Sequence, residues 1–279
     1  MTHSDFYERI NLCYTIHIEV LIMISERSLK IIKTSPRRLN KPVRLVLFTS
    51  DRGCEACPQM TELAKAIKAH FDKIALESYD LVMDRDKSHQ YGIERVPAIV
   101  LQGVDGETAT FYGLIEDVFL KILVDTVQSL SNTKVWFPED VRRVLKHLDH
   151  DVKTQVFVES DCPLCRPVAE TAIGLALESR YVYADIIVAD NFPELIKKYA
   201  IKKLPMTIFG ENLQMEGHVT ESEFLQMIFD AEGIKPGKDR RCLVCGKPSA
   251  ETICSNCEIR IQAEAVDHKT RIEKGLQQP

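Results

Sequence analysis

Eight of the nine cysteines fall into four C-x-x-C pairs: Cys54/Cys57, Cys162/Cys165, Cys242/Cys245 and Cys254/Cys257. Cys13 stands alone. Two thiols three residues apart lie within one helical turn, a spacing that suits either dithiol–disulfide exchange or thiolate ligation of a metal. The residues downstream of the pairs separate the two chemistries. The first pair is followed by Val96-Pro97 and the second by Leu204-Pro205, and the offsets 162−54, 165−57 and 205−97 are all 108. Tyr91 with Tyr199 and Ile93 with Ile201 keep the same register. A repeat of that length describes two copies of one domain, since solenoid units recur every 20–50 residues or so.

A C-x-x-C set between a buried strand and a helix puts its first sulfur at the helix N-terminus, where free amides and the helix dipole stabilise an anion. The thiolate is the attacking species, so a depressed pKa yields a nucleophile at neutral pH. The second cysteine is then close enough to attack a mixed disulfide and release the product. An X-Pro bond tolerates the cis form, which here would turn the Val96 and Leu204 backbone toward the cysteines. That edge is suited to pairing with an extended substrate peptide.

The elements needed to hold this arrangement can be read along the chain. A short helix over 25–33 precedes a continuously apolar strand at 44–49, and Met60, Leu63, Ala64, Ile67 and Phe71 mark the helix after Cys57. A strand at 74–83, a helix at 87–91, strands at 98–102 and 108–112, and a helix at 116–130 complete the first copy. The second repeats the order: a helix at 139–148, a strand at 154–158, a helix carrying Val168, Ala172 and Leu175, a strand at 181–189, a helix at 192–200, and strands at 205–209 and 213–217. Thr220 and Glu223 have capping-box spacing ahead of the last helix. Ile16, Ile18 and Val20 alternate with His17 and Glu19 in a strand-like way near the N-terminus.

These residues resemble the thioredoxin and glutaredoxin superfamily, and the doubled arrangement is similar to the archaeal-type protein disulfide oxidoreductases over about residues 23–232. The resemblance implies an α/β protein of two tandem thioredoxin-like domains. It implies a dithiol–disulfide oxidoreductase acting on disulfide-bearing proteins or small disulfides, reduced by a thioredoxin-reductase-like flavoenzyme and using no organic cofactor. By it, Cys54 and Cys162 are the nucleophiles, Cys57 and Cys165 the resolving thiols, and Pro97 and Pro205 the cis prolines beside Val96 and Leu204. The motif Cys162-Pro163-Leu164-Cys165 has the glutaredoxin-type proline. Cys54-Glu55-Ala56-Cys57 departs from the usual fillers, and Glu55 should disfavour the Cys54 thiolate.

Cys242, Cys245, Cys254 and Cys257 form two knuckles around a short loop, on a segment too small for its own core. Four thiolates suit structural zinc, with iron or an extra redox pair as alternatives. This C-terminal zinc ribbon is similar to the knuckles of tRNA 2-thiolation enzymes. From residue 235 the chain holds nine basic and six acidic residues, about three positive charges in excess, and no aromatic residue follows Phe229. That ranks protein docking above RNA docking. A ribbon after a Gly/Pro-containing linker is expected to fold without touching either redox domain. The resulting division is an extension at 1–22, domains at 23–132 and 133–232, a linker at 233–241 and the ribbon at 242–279.

A net charge of −5 gives no nucleic-acid or membrane-surface signature, and the apolar run 10–24 is too short to span a bilayer. Paired rather than scattered cysteines in a chain of 279 residues point to a reducing compartment, the cytoplasm. Rival readings are a sulfur-relay or RNA-associated adaptor that docks through the ribbon, and a non-enzymatic scaffold. Two narrower alternatives are a degenerate, structural first copy and a single interdomain zinc site built from the first four paired cysteines.

Overall fold

The computed structural model describes residues 24–132, 134–160, 162–231, 241–247, 249 and 251–273. The N-terminal strand-like pattern, Cys13, Asp161 and most of the expected linker lie outside them. The first unit runs α1 (Glu26–Thr34), β1 (Val43–Thr49), α2 (Cys57–His70), β2 (Ile74–Asp80), α3 (Arg85–Tyr91), β3 (Ala98–Gln102), β4 (Thr108–Tyr112) and α4 (Asp117–Asn132). The second runs α5 (Glu139–Leu145), β5 (Val152–Val158), α6 (Cys165–Glu178), β6 (Val182–Val188), α7 (Pro193–Lys198), β7 (Met206–Phe209), β8 (Leu213–Glu216) and α8 (Glu221–Ala231). A 19-residue helix, α9 (Ser255–Glu273), closes the described chain.

The expected elements form, and their ends move for local reasons. Strand β2 stops at Asp80, short of the expected 83, because the Asp80 carboxylate accepts the amides of Val82 and Met83, each at 2.8 Å, and turns the chain. Helix α5 ends at Leu145 rather than 148, where bonds to the third preceding carbonyl tighten the last turn (Lys146, His147 and Leu148). The capping box at α8 is reciprocal: Glu223 donates its amide to the Thr220 hydroxyl at 3.3 Å and its carboxylate accepts the Thr220 amide at 2.9 Å.

All eight strands join one sheet in the order β2-β1-β3-β4-β6-β5-β7-β8. Within each unit the centre pairs with one parallel and one antiparallel neighbour. The units meet where β4 pairs in parallel with β6, Ala109 opposite Ala184 and Tyr112 opposite Ile187. Alternate residues of β1 serve opposite faces, Leu45 and Leu47 on one and Val46 and Phe48 on the other. The first face is covered by α1, α2, α4, α5, α6 and α8 in one continuous core, the second by α3 and α7.

The C-terminal module is not separate, contrary to the expectation from its linker. Its buried stripe, Cys257, Ile261 and Ala265, recurs every four residues, and Ile253 and Val244 join the main core. Gln226 of α8 donates to the Thr252 hydroxyl at 3.2 Å, Gln262 donates to the Ser222 hydroxyl at 3.0 Å, and Arg260 pairs with Asp140 of α5 at 2.6 Å.

Candidate functional sites

Both paired sites stand where a buried strand hands over to a helix. β1 ends at Thr49, a loop carries Cys54, and Cys57 opens α2; β5 ends at Val158, Cys162 follows, and Cys165 opens α6. Each pair is joined as a disulfide with Cα atoms 5.4 Å and 5.3 Å apart. Neither helix has a side-chain N-cap or an acidic residue in its first turn, so the dipole at the sulfurs is uncompensated. Access differs within each pair. Cys57 and Cys165 are buried at 4% and 0% exposure, whereas Cys54 is half-exposed and Cys162 keeps 9%. Glu55, whose charge was expected to weigh on Cys54, points into solvent, where screening is strong.

The prolines are brought to the same ends. Ala98 pairs with Phe48 and Met206 with Phe157, so Pro97 and Pro205 lie at the C-terminal ends of β1 and β5, from which the chain runs into each cysteine pair. The Val96-Pro97 and Leu204-Pro205 bonds are both cis. Val96 and Leu204 stay half-exposed at these loops.

The two proline loops differ in their backing, a feature the sequence analysis missed. Gly113 donates to the Pro97 carbonyl at 3.0 Å, and Gly217 to the Pro205 carbonyl at 2.8 Å. Beside Gly113, the Asn191 side chain of the second unit accepts the Leu114 amide at 2.8 Å. A Cβ on Gly113 would lie 2.6 Å from that Asn191 oxygen, while around Gly217 nothing lies within 4 Å. The first loop is therefore clasped by the second unit, and the second faces the open edge at β8. Each fourth strand is followed directly by a glycine, Gly113 or Gly217, which signals the bond they share and not the Asn191 clasp.

The third cluster converges as expected. The sulfurs of Cys242, Cys245, Cys254 and Cys257 all lie within 4.8 Å of one another, with Cys245 and Cys254 at 3.8 Å. Tetrahedral zinc–thiolate bonds place sulfurs about 3.8 Å apart, so the set fits zinc. Burial pushes the Cys242 thiol up, but the amides of Cys254, Cys245 and Val244 aimed at its sulfur bring it down to about 7. Burial, then hydrogen bonds to its three neighbours, raise Cys257. A metal would replace those shared protons.

Comparison with known proteins agrees with this geometry. The family described as "Thioredoxin domain" matches residues 152–230. A probable thioredoxin of Methanothermobacter thermautotrophicus is 41% identical over 63 residues, 22% of this chain and 73% of that protein. One from Methanothermobacter marburgensis matches equally. Among solved structures, a protein disulfide oxidoreductase of Aeropyrum pernix K1 superposes with a TM-score of 0.65 at 22% identity, over 74% of this chain and 91% of that one. The N-terminal domain of alkylhydroperoxide reductase AhpF from Enterococcus faecalis gives 0.63 at 22% identity, over 73% and 96%. At that identity the two structures speak to the fold alone.

Proposed function

Because the chain belongs to the thioredoxin family and is a thiol–disulfide oxidoreductase, we propose that both C-x-x-C pairs turn over, with Cys54 and Cys162 attacking and Cys57 and Cys165 resolving. The observation that carries this is the repeated geometry: a more accessible sulfur ahead of an uncapped helix, a buried one inside it, and a proline loop at the same strand end.

In the reductive direction the Cys162 thiolate attacks one sulfur of a substrate disulfide. The substrate S–S bond breaks, and its other sulfur leaves as a thiolate that takes a proton from water. Cys165, deprotonated as it attacks, then displaces the bound substrate sulfur from Cys162 as the second thiolate. Two electrons pass to the substrate and the Cys162–Cys165 disulfide remains. The Cys54–Cys57 pair follows the same steps. A thioredoxin-reductase-like flavoenzyme returns the two electrons, and disulfide-bearing proteins, lying along Val96 or Leu204, are the substrates. The setting is the cytoplasm; no helix among the described residues is long and apolar enough to cross a membrane.

Cys242, Cys245, Cys254 and Cys257 hold one structural zinc, which when bound supplies a tetrahedral cross-link and no redox chemistry. The exposed side of α9, with Ile259 and Val266, serves protein docking in preference to RNA.

Mixed-disulfide trapping tests the assignment. Cys57→Ser and Cys165→Ser should accumulate adducts with a protein disulfide substrate, linked through Cys54 and Cys162 respectively. Failure of both variants to form an adduct would contradict it.

A further inference from the structure

The two sites match in position and differ in charge. In register, Glu94-Arg95-Val96-Pro97 corresponds to Lys202-Lys203-Leu204-Pro205. At the first site Arg95 is half-buried and shared between two carboxylates, Glu94 at 3.3 Å and, from α7 of the second unit, Glu194 at 3.8 Å. Those three residues sum to one negative charge. At the second site Lys202 and Lys203 are both exposed, and Lys203 meets Glu216 at 3.4 Å with its own side chain 77% exposed. Lys197 and Lys198 on the preceding helix belong to the same basic run. Lys202 and Lys203 against Glu216 leave one positive charge at the loop itself.

The strand register puts this charge beside the chemistry. Met206 opposite Phe157 sets Leu204-Pro205, with the two lysines just before them, at the strand end that leads into Cys162. A substrate segment extended along Leu204 carries the residues flanking its disulfide past Lys202 and Lys203. On the cysteine side the nearest charge has the opposite sign, since Glu159 is exposed and its carbonyl accepts the Cys162 amide at 3.3 Å. Acidic substrate residues are therefore accommodated on the strand-pairing side alone.

We propose that the second site selects disulfides set in acidic segments and that the first site, with Glu94 and Glu194 at its loop, does not. This rests on the dithiol–disulfide function proposed above. The physical basis is charge complementarity, which acts on encounter and on discrimination more than on bulk affinity.

The test uses two full-length proteins, each with one redox pair: Cys54→Ser/Cys57→Ser and Cys162→Ser/Cys165→Ser. Each is offered two synthetic peptides with the same internal disulfide, flanked by paired aspartates or paired lysines, with dithiothreitol as reductant. The protein that keeps the second site should reduce the acidic peptide with a roughly three- to tenfold higher kcat/KM, the scale of one or two exposed ion pairs. The preference should shrink toward unity at about 0.5 M salt, where the screening length falls to a few ångströms. Lys202→Glu/Lys203→Glu should invert it, and the protein that keeps the first site should show no acidic preference. Equal rates on both peptides at the second site, or a preference that survives the lysine reversal, would overturn the proposal. Reduction of neither peptide by either protein would instead remove the function on which it rests.

Discussion

Arg260 of α9 reaches Asp140 of α5 at 2.6 Å, and the same guanidinium nitrogen lies 3.9 Å from the Cys257 sulfur. One side chain thus links the four-cysteine knuckle to the second redox unit. The segment is not an appendage on a tether; packed this way it is part of that unit's core.

Removal of residues 241–279 should therefore lower the melting temperature of the remaining protein. Ile261→Ala, which empties a fully buried position, should cost about 2–4 kcal/mol. Arg260→Ala, removing a half-exposed ion pair, should cost about 1 kcal/mol. Thermal denaturation measures all three. An unchanged melting temperature on truncation would restore the picture of a free ribbon.

Metal analysis of the purified protein should find one zinc per chain, lost with residues 241–279. Because the ligands bind as thiolates, protons compete, and zinc release should rise as pH falls. Zinc that persists in the truncated protein would place it among the first four paired cysteines instead.

The clasp between the units predicts unequal glycines. Gly113 and Gly217 both hold positive φ, +95° and +85°. Alanine at either meets backbone strain of about 1 kcal/mol or more, but only at Gly113 does the new Cβ also collide with the Asn191 oxygen and crowd Val188. Gly113→Ala should be the more destabilising by about 1–2 kcal/mol. Equilibrium denaturation of the two variants decides it, and equal losses would contradict the clasp.

How much of this was legible in the sequence depends on the kind of signal. The matched cysteines and prolines at offset 108 carried the repeat, the element order and the placement of both sites, because each is a local device repeated intact. The joining of the units into one sheet was not legible. It rests on β4 and β6 both offering an edge, and Thr108–Tyr112 reads as a short strand whatever lies beside it. Only the structure separates the two: in β4 four successive residues are buried, whereas β8, the matching edge, alternates half-buried Leu213 and Met215 with exposed Gln214 and Glu216. Docking of the C-terminal module was masked by the polarity of α9 as a whole, although Cys257, Ile261 and Ala265 mark a buried face at helical spacing.

Asp185 gives a pH prediction at the junction of the units. It is buried on β6, opposite Thr110 of β4, and burial raises its carboxyl above the usual range despite the Lys153 ammonium 2.8 Å away. Between the ordinary aspartate value and that raised value, the folded protein holds a proton the unfolded chain has lost. Its contribution to stability is therefore greatest below the ordinary aspartate range and is lost as pH rises through the raised value. Asp185→Asn should flatten that decline. At pH 7 it should be neutral or stabilising by about 1 kcal/mol, since Lys153 is 43% exposed and remains solvated. Denaturant midpoints across pH for both proteins check the sign; a steeper decline in the variant would contradict it.

The central claim is that dithiol–disulfide exchange runs through these two pairs. Turnover of insulin disulfides with dithiothreitol measures it directly, comparing the native protein, Cys54→Ser, Cys162→Ser and the double variant. The account predicts that each single variant keeps part of the rate and that the double variant falls to the uncatalysed background. A double variant that retained the native rate would contradict it.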